Sequence, residues 1–401
     1  MKPPQISVCI AYRDREALRV QNCLASLDQQ SFRDFEVVFV DYGSQPERAS
    51  EIQEICNTFP NVRHFYFDSR GQFWNPALAL NFAIAQAKGE TLLALDVDLM
   101  VLPDFLEKCQ KTHQVIEFLT FDYVDLKPGF TQYAELASQK EALILPKQIK
   151  PINGALLLAR QFLLAAGGYD PYFFIWGELD LEILDRLEAL GLQKRHLPAA
   201  DFPLFHQWHP PGNRDMPKGW QALIMDHSAQ NRAALKKPGY QFPAFRPPTL
   251  LAKAQRPALL FAEKGDWPLP AQFVFRYPIL QSYSLFMARF YSLAPGQCLW
   301  LRQDFAILQP QPKSRLGKWM QRFNRLLQKM RFSYRWVEIA TYETELLTAK
   351  EIRDFLFYFV LEHEAAIQDY FLEQVGKQIF FVVCKAPTKE EKTLVRKGRK
   401  P

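Results

Sequence analysis

Asp96-Val97-Asp98 closes the apolar run 92–95. Two carboxylates one residue apart at a strand end reach one divalent cation and its bound phosphates, because hard cations such as Mg²⁺ and Mn²⁺ favour oxygen ligands. The competing reading is that Asp104, after Pro103, starts the next helix and both aspartates are merely solvated. A second cluster, Trp176-Gly177-Glu178-Leu179-Asp180-Leu181-Glu182, sets three carboxylates around a helix start. They serve there as caps that complement the helix dipole, or supply a general base beside a substrate-binding Trp176. The turn 167–170 and the aromatic residues Tyr172, Phe173 and Phe174 precede it. Aromatic rings beside carboxylates suit the apolar face and the hydroxyls of a sugar. His206 and His209 offer imidazoles to a metal shell that already holds a carboxylate, or bond to loop backbone. Tyr12-Arg13-Asp14-Arg15, with Asp41 further on, supplies cations for a diphosphate, or a solvated turn.

The elements that must position these groups follow from the hydrophobic period. Residues 6–11, 35–40, 62–67 and 91–95 read as buried strands, and 16–29, 46–58 and 76–87 as helices between them. Repeated β-α units predict a parallel sheet with helices on both faces, and ligands bind such sheets beyond the carboxyl ends of the strands. Asp41 and Asp96 fall at two such ends. Further helices are expected at 161–166 and 180–190. A Pro-rich stretch at 238–257 reads as a linker, so the expected division is a first domain over 1–237, an accessory α/β or α+β domain over 258–384 and a basic tail over 385–401. In the accessory domain 272–275, 334–340 and 378–383 read as strands, and 349–375 as one or two helices.

The 401 residues are 48% apolar and 23% charged, which excludes disordered, collagenous and purely coiled-coil chains. The net charge of +6 is uneven: residues 311–335 carry eight basic and no acidic side chains. Within it, 313–332 patterns as a basic amphipathic helix, suited either to an anionic membrane surface or to packing into the accessory domain. No nucleic-acid motif accompanies the charge, so no nucleic-acid partner is expected. No stretch reads as a secretory signal or a membrane span, which predicts a cytoplasmic protein, peripheral to a membrane if 313–332 anchors it. The six scattered cysteines include no C-x-x-C pair and read as reduced, mostly buried thiols.

Taken in order, these segments resemble family 2 glycosyltransferases of the GT-A fold over about residues 5–235. The opening strand with Tyr12-Arg13-Asp14-Arg15, FEVVFVDYGS at 35–44, and Gly89-Glu90 leading to Asp96-Val97-Asp98 are similar to that family's nucleotide-binding strands. Trp176-Gly177 and the carboxylates after it are similar to the W-G-G-E-D-x-E segment of galactosyltransferases and chondroitin-polymerase-like enzymes, with Glu178 in place of the second Gly and Leu179 in place of Glu. His206-Gln207 with Pro210-Pro211-Gly212 is similar to the H-Q-x-P-P-G segment of the latter.

The resemblance implies a metal-dependent, inverting transfer from a nucleotide-sugar, UDP-linked, to a glycan or lipid-linked saccharide hydroxyl, in surface polysaccharide synthesis. It implies Asp180 as the base, and Trp176, Gly177, Glu178 and Glu182 on the acceptor. It places Ala11, Tyr12, Arg13, Arg15, Asp41, Tyr42, Asp68, Asn81, Asp96 and Val97 on the donor. Mn²⁺ or Mg²⁺ falls to Asp98, Asp96 and His206, with His209 as the alternative. Tyr42, where the family commonly has a second Asp, keeps open a degenerate transferase that only binds nucleotide-sugars or acts as a scaffold. A nucleotidyltransferase would need a Gly-rich loop after the first strand, where Ala11-Tyr12-Arg13-Asp14 stands.

Overall fold

A computed structural model describes residues 2–130, 132–134, 136, 144–175, 177–209, 216–249, 253–265, 273–275, 279–305 and 347–387. Trp176, the amphipathic segment 313–332, the expected strand at 334–340 and the tail beyond 387 lie outside the described residues. The chain divides into two compact units, Met1–Arg256 and Pro257–Pro401.

In the first unit, four apolar segments form parallel strands: β1 (Ile6–Tyr12), β2 (Phe35–Asp41), β3 (Val62–Tyr66) and β4 (Thr91–Leu95). β1 and β2 are buried along almost their whole length, as strands covered on both faces must be. α1 (Ala17–Asp28), α2 (Pro46–Asn57) and α3 (Pro76–Gln86) lie between them, within a residue of the boundaries that hydrophobic spacing predicts. α3 starts where the sequence says a helix should: the Asn75 side chain accepts from the Leu78 N–H and Pro76 takes the first turn, where its missing N–H costs nothing.

The order β3-β2-β1-β4 reverses direction at β1, so β1 and β4 are neighbours whose connections leave to opposite sides. Their carboxyl ends therefore flank a crevice. Beyond β4 the sheet becomes mixed. β7 (Ile144–Ala159) runs antiparallel to β4, and β6 (Glu117–Leu126) antiparallel to β7. β8 (Gln193–Leu197) and β9 (Leu204–His206) run parallel to β6, and β5 (Leu99–Val101) closes the edge antiparallel to β9. One core lies between this sheet, α1, α2 and α4 (Phe105–Thr112), with Val8, Ile10, Leu24, Phe39, Leu93 and Phe121 at its centre. α3, α5 (Arg160–Ala165) and α6 (Leu179–Ala189) cover the opposite face, and α7 (Trp220–Leu235) follows. The first part of the Pro-rich stretch packs on this unit: Pro243 abuts Gly167, and Phe245 abuts Gly168.

The second unit is α+β. β10 (Cys298–Asp304), β11 (Ile367–Val375) and β12 (Gln378–Lys385) form a three-stranded antiparallel sheet in the order β10-β12-β11. α8 (Pro257–Glu263), α9 (Ile279–Tyr291) and α10 (Ala349–His363) accompany it. Phe286, Phe355, Phe359 and Phe381 interlock here, with the Phe286 and Phe359 rings 4.9 Å apart. Two expectations need correction. Residues 349–375 are not helical throughout: α10 stops at His363, and 367–375 becomes a strand because Gly376, at φ 58°, turns the chain back into β12. Nor are all six cysteines reduced. Cys298 and Cys384 face each other in register across β10 and β12 and are joined in a disulfide, while the other four are buried free thiols. Among the described residues no helix is long and apolar enough to cross a membrane.

Candidate active site

The three-residue strand β5 continues directly from Asp98 and pairs with β9, Leu99 opposite His206. The Gln207 N–H donates to the Asp98 carbonyl at 2.9 Å. That pairing carries residues about a hundred positions apart to one point. His206 Nε2 stands 3.5 Å and His209 Nε2 3.6 Å from Asp98 Oδ2, and the three ligand atoms lie within 4.8 Å of one another. Gln207 anchors the loop from the other side: it donates to the Arg19 carbonyl and accepts from Asn22, both at 3.1 Å and both on α1. Burial disfavours the Asp98 carboxylate, but the closeness of His206 and His209 outweighs it and holds the group well below the ordinary range.

One carboxylate and two imidazoles are a donor set that a divalent cation fits. The imidazoles suit Mn²⁺ or a later transition ion better than Mg²⁺, which seeks oxygen. Both histidines converge on Asp98, so His209 accompanies His206 rather than replacing it. Asp96 stands outside this cluster.

Asp96 opens onto the cleft at the end of β4, its N–H bonded to the Gly154 carbonyl at 2.7 Å. Gly154 adopts φ 93°, and a Cβ there would lie 2.3 Å from Asp96 Oδ2, so only glycine lets the carboxylate sit where it does. The surrounding protein, then the charges of Asp98 and Asp180, push Asp96 above the usual carboxylate range. Asp180 lies in the first turn of α6, where the helix end favours a negative charge, yet desolvation pushes it above that range as well.

Both carboxylates and Asp98 line one cleft of about 570 Å³. Ala11, Tyr12, Arg13, Arg15 and Val97 line it from the β1 and β4 side, and Gly177 and Glu178 from the α6 side. Among the described residues the non-glycine positions with positive φ, Asp14 (51°), Ile175 (60°) and Glu178 (57°), all lie in this lining. Such conformations cost about 1–3 kcal/mol each and persist where surrounding structure enforces them. Hydrogen bonds do so here: Ser44 Oγ accepts from the Asp14 N–H at 2.9 Å, and the Trp74 carbonyl accepts from the Ile175 N–H at 2.9 Å.

Five of the expected residues stand behind the lining. Asp41 is fully buried. Its Oδ1 accepts from the Ser44 N–H at 2.9 Å while its Oδ2 has no partner among the described residues, and desolvation, only partly offset by the Ser44 hydrogen bonds, pushes it up to about 6. Tyr42 is buried and stacks on Phe67, with ring centroids 5.0 Å apart. Asp68 forms a two-pronged pair with Arg70, both contacts 2.8 Å. Asn81 uses both ends of its amide on the Tyr169 backbone, at 2.7 and 2.8 Å, and so clamps the Gly167-Gly168-Tyr169 turn. Glu182 is buried against Arg186 at 2.6 Å and accepts from Asn231, which makes it a strut between α6 and α7.

Residues that sequence reading missed join the site. Trp74, edge-on to Tyr42, is the member of that aromatic group that lines the cleft. Ile175, Leu181 and Gln221 also line the wall, beside Phe173 from the aromatic run noted in the sequence. Asp125 on β6 lies behind His206. Nothing local marked it, since the strand 117–126 also carries Glu117 and Asp122.

The architecture is a mixed, mostly parallel sheet with helices on both faces. The family model "Glycosyl transferase family 2" matches residues 7–152. It is 26% identical over 168 residues to chondroitin sulfate synthase 3 of Mus musculus, covering 40% of this chain and 18% of that protein. It is 31% identical over 105 residues to the uncharacterized glycosyltransferase YfnE of Bacillus subtilis (strain 168), covering 26% and 25%. The chain thus spans about a quarter or less of the length of these curated relatives. Among solved structures it is similar to GalNAc-T7 with UDP, GalNAc and Mn²⁺, with TM-score 0.43, 16% identity and 58% and 48% of the two chains covered. It is also similar to S. aureus TarS 1-349 in complex with UDP-GlcNAc, with TM-score 0.44, 14% identity and 58% and 67% covered.

Proposed function

We propose that this chain is a metal-dependent, inverting glycosyltransferase. It moves a sugar from a nucleotide-sugar, UDP-linked, to a saccharide hydroxyl in the synthesis of a surface polysaccharide. The observation that carries this reading is a single cleft at the carboxyl ends of β1 and β4 with Asp98, joined to His206 and His209, on one side and Asp180 on the other. The relationship to a chondroitin sulfate synthase supports a glycan as acceptor.

A divalent cation held by Asp98, His206 and His209 would neutralise the diphosphate as it leaves. Arg13 and Arg15 stand at the mouth of β1, where guanidinium groups meet phosphate oxygens. Asp96 and Val97 face the donor from the end of β4. Asp180 accepts the proton of the acceptor hydroxyl at its carboxylate as that oxygen attacks the anomeric carbon from the face opposite the diphosphate, which inverts the configuration. Its raised pKa suits a base that must take a proton near neutrality. Gly177 and Glu178 line the acceptor side, and the role of Trp176 there stays what the resemblance implies.

Asp180→Asn keeps the size of the group and removes its basicity. Transfer from UDP-sugars should fall by about 10²–10⁴-fold, while calorimetric binding of UDP with Mn²⁺ stays at the wild-type value. Transfer at the wild-type rate would remove Asp180 from the role of base. Failure of the wild type to bind any nucleoside diphosphate would favour the scaffold reading.

A further inference from the structure

One imidazole, that of His206, joins the carboxylates of Asp125 and Asp98. β9 lies between β5 and β6, with His206 opposite Leu99 on one side and Asp125 on the other. The ring therefore lies between two aspartates. Nδ1 is 2.8 Å from Asp125 Oδ1, a full hydrogen bond, while Nε2 stands 3.5 Å from Asp98 Oδ2, outside the usual range for one. Asp125 is only 7% exposed, so little water screens its charge. Tyr123, 5.3 Å away between ring centroids, packs on the ring.

We infer that Asp125 is a positioning residue for metal binding: it fixes His206 in the tautomer that turns the Nε2 lone pair towards Asp98 and His209. The inference rests on the metal reading above. A neutral imidazole carries one N–H and one lone pair. A carboxylate only accepts, so the nitrogen facing Asp125 must be the donor. The lone pair is then left on Nε2, the atom that shares the cluster with Asp98 and His209. Without that carboxylate either nitrogen can hold the proton, and the ring loses the hydrogen bond that sets its plane. Carboxylate partners of ligating histidines commonly act in this way.

The same strand carries a built-in contrast. Three residues earlier, Asp122 accepts from His196 Nε2 at 3.0 Å. There the other nitrogen, Nδ1, meets Thr120 Oγ1 at 3.1 Å. Both nitrogens of His196 are engaged by protein, so that Asp–His pair offers no lone pair to a cation. Asp122 and Asp125 thus separate a carboxylate that braces a strand from one that prepares a ligand.

The test titrates Mn²⁺ into the full chain with UDP present and reads free Mn²⁺ from its paramagnetic resonance signal, comparing wild type, Asp125→Asn and Asp122→Asn. Asn matches Asp in size, but its NH₂ can face the ring and favour the opposite tautomer. Asp125→Asn should weaken Mn²⁺ binding about tenfold or more, with UDP binding in the absence of metal unchanged. Asp122→Asn should stay within about twofold of wild type. Equal Mn²⁺ affinity in wild type and Asp125→Asn overturns the inference and leaves the metal reading standing. An equal loss in both variants also overturns it, since the cause would then be the packing of β6. No saturable binding in the wild type overturns both readings. If Asp125→Asn does not fold, ¹⁵N resonances of the wild-type imidazoles decide: His206 protonated at Nδ1 supports the inference, and protonation at Nε2 refutes it.

Discussion

Gly154→Ala puts the placement of Asp96 to the test. A Cβ at 154 would stand 2.3 Å from Asp96 Oδ2 and 2.8 Å from its Cγ. A comfortable carbon–oxygen contact needs roughly 3.3–3.6 Å, so the carboxylate must retreat by about 1 Å. A misplacement of that size in a reacting site costs on the order of 10²-fold in rate. The backbone adds a second effect, because φ 93° at residue 154 is strained for alanine and costs about 1–3 kcal/mol. In a unit of this size that lowers the melting temperature by about 2–12 °C. Differential scanning calorimetry reads the strain, and release of UDP from a panel of UDP-sugars reads the displacement. Turnover should fall by about 10²-fold with the fold retained. Wild-type turnover with a lowered melting temperature would confirm the strain and remove Asp96 from the reacting site. Wild-type values of both would refute the reasoning altogether.

Two further outcomes follow from buried charge. The Asp41 carboxyl, pushed up to about 6, binds its proton more tightly folded than unfolded, where a value of about 3.9 applies. Stability from this group is full below about pH 4 and is lost as pH rises through about 6, a change of up to about 3 kcal/mol. Asp41→Asn should therefore show a flatter stability profile than wild type between pH 4 and 7 in denaturant titrations; parallel profiles would contradict the shift. Arg186→Met leaves Glu182 charged and buried, with side chains 4% and 2% exposed in the wild type. The loss should be about 3–5 kcal/mol by denaturant titration, with much of it recovered in the Glu182→Gln, Arg186→Met double variant. A single variant as stable as wild type would mean that Glu182 is not held by this pair.

What the sequence determined by itself is local and periodic. Buried parallel strands demand continuous apolar runs, and helices between them demand one apolar face, so β1 to β4 and α1 to α3 were legible within a residue or so. The positions of the polar residues at the strand ends were legible for the same reason. Asp96, Asp98 and the Arg13–Arg15 turn fall where apolar runs stop, and Asp180 falls where a helix starts. The irregular second half of the sheet was not legible, because β5 and β9 are three residues each and owe their existence to their partners. Residues 367–375 carried a helical pattern that the turn at Gly376 overrode.

Only the tertiary structure decided which polar residues face the cleft and which hold it in shape. Asp41, Asn81 and Glu182 have the chemistry of ligands, but each is turned inward and bonded to a neighbour. Asp125, indistinguishable in sequence from Asp122, became the partner of His206 because β9 lies between β5 and β6. Spacing along the chain sets the face of an element on which a side chain lies. Pairing between distant strands sets what that face meets, and no local pattern records it.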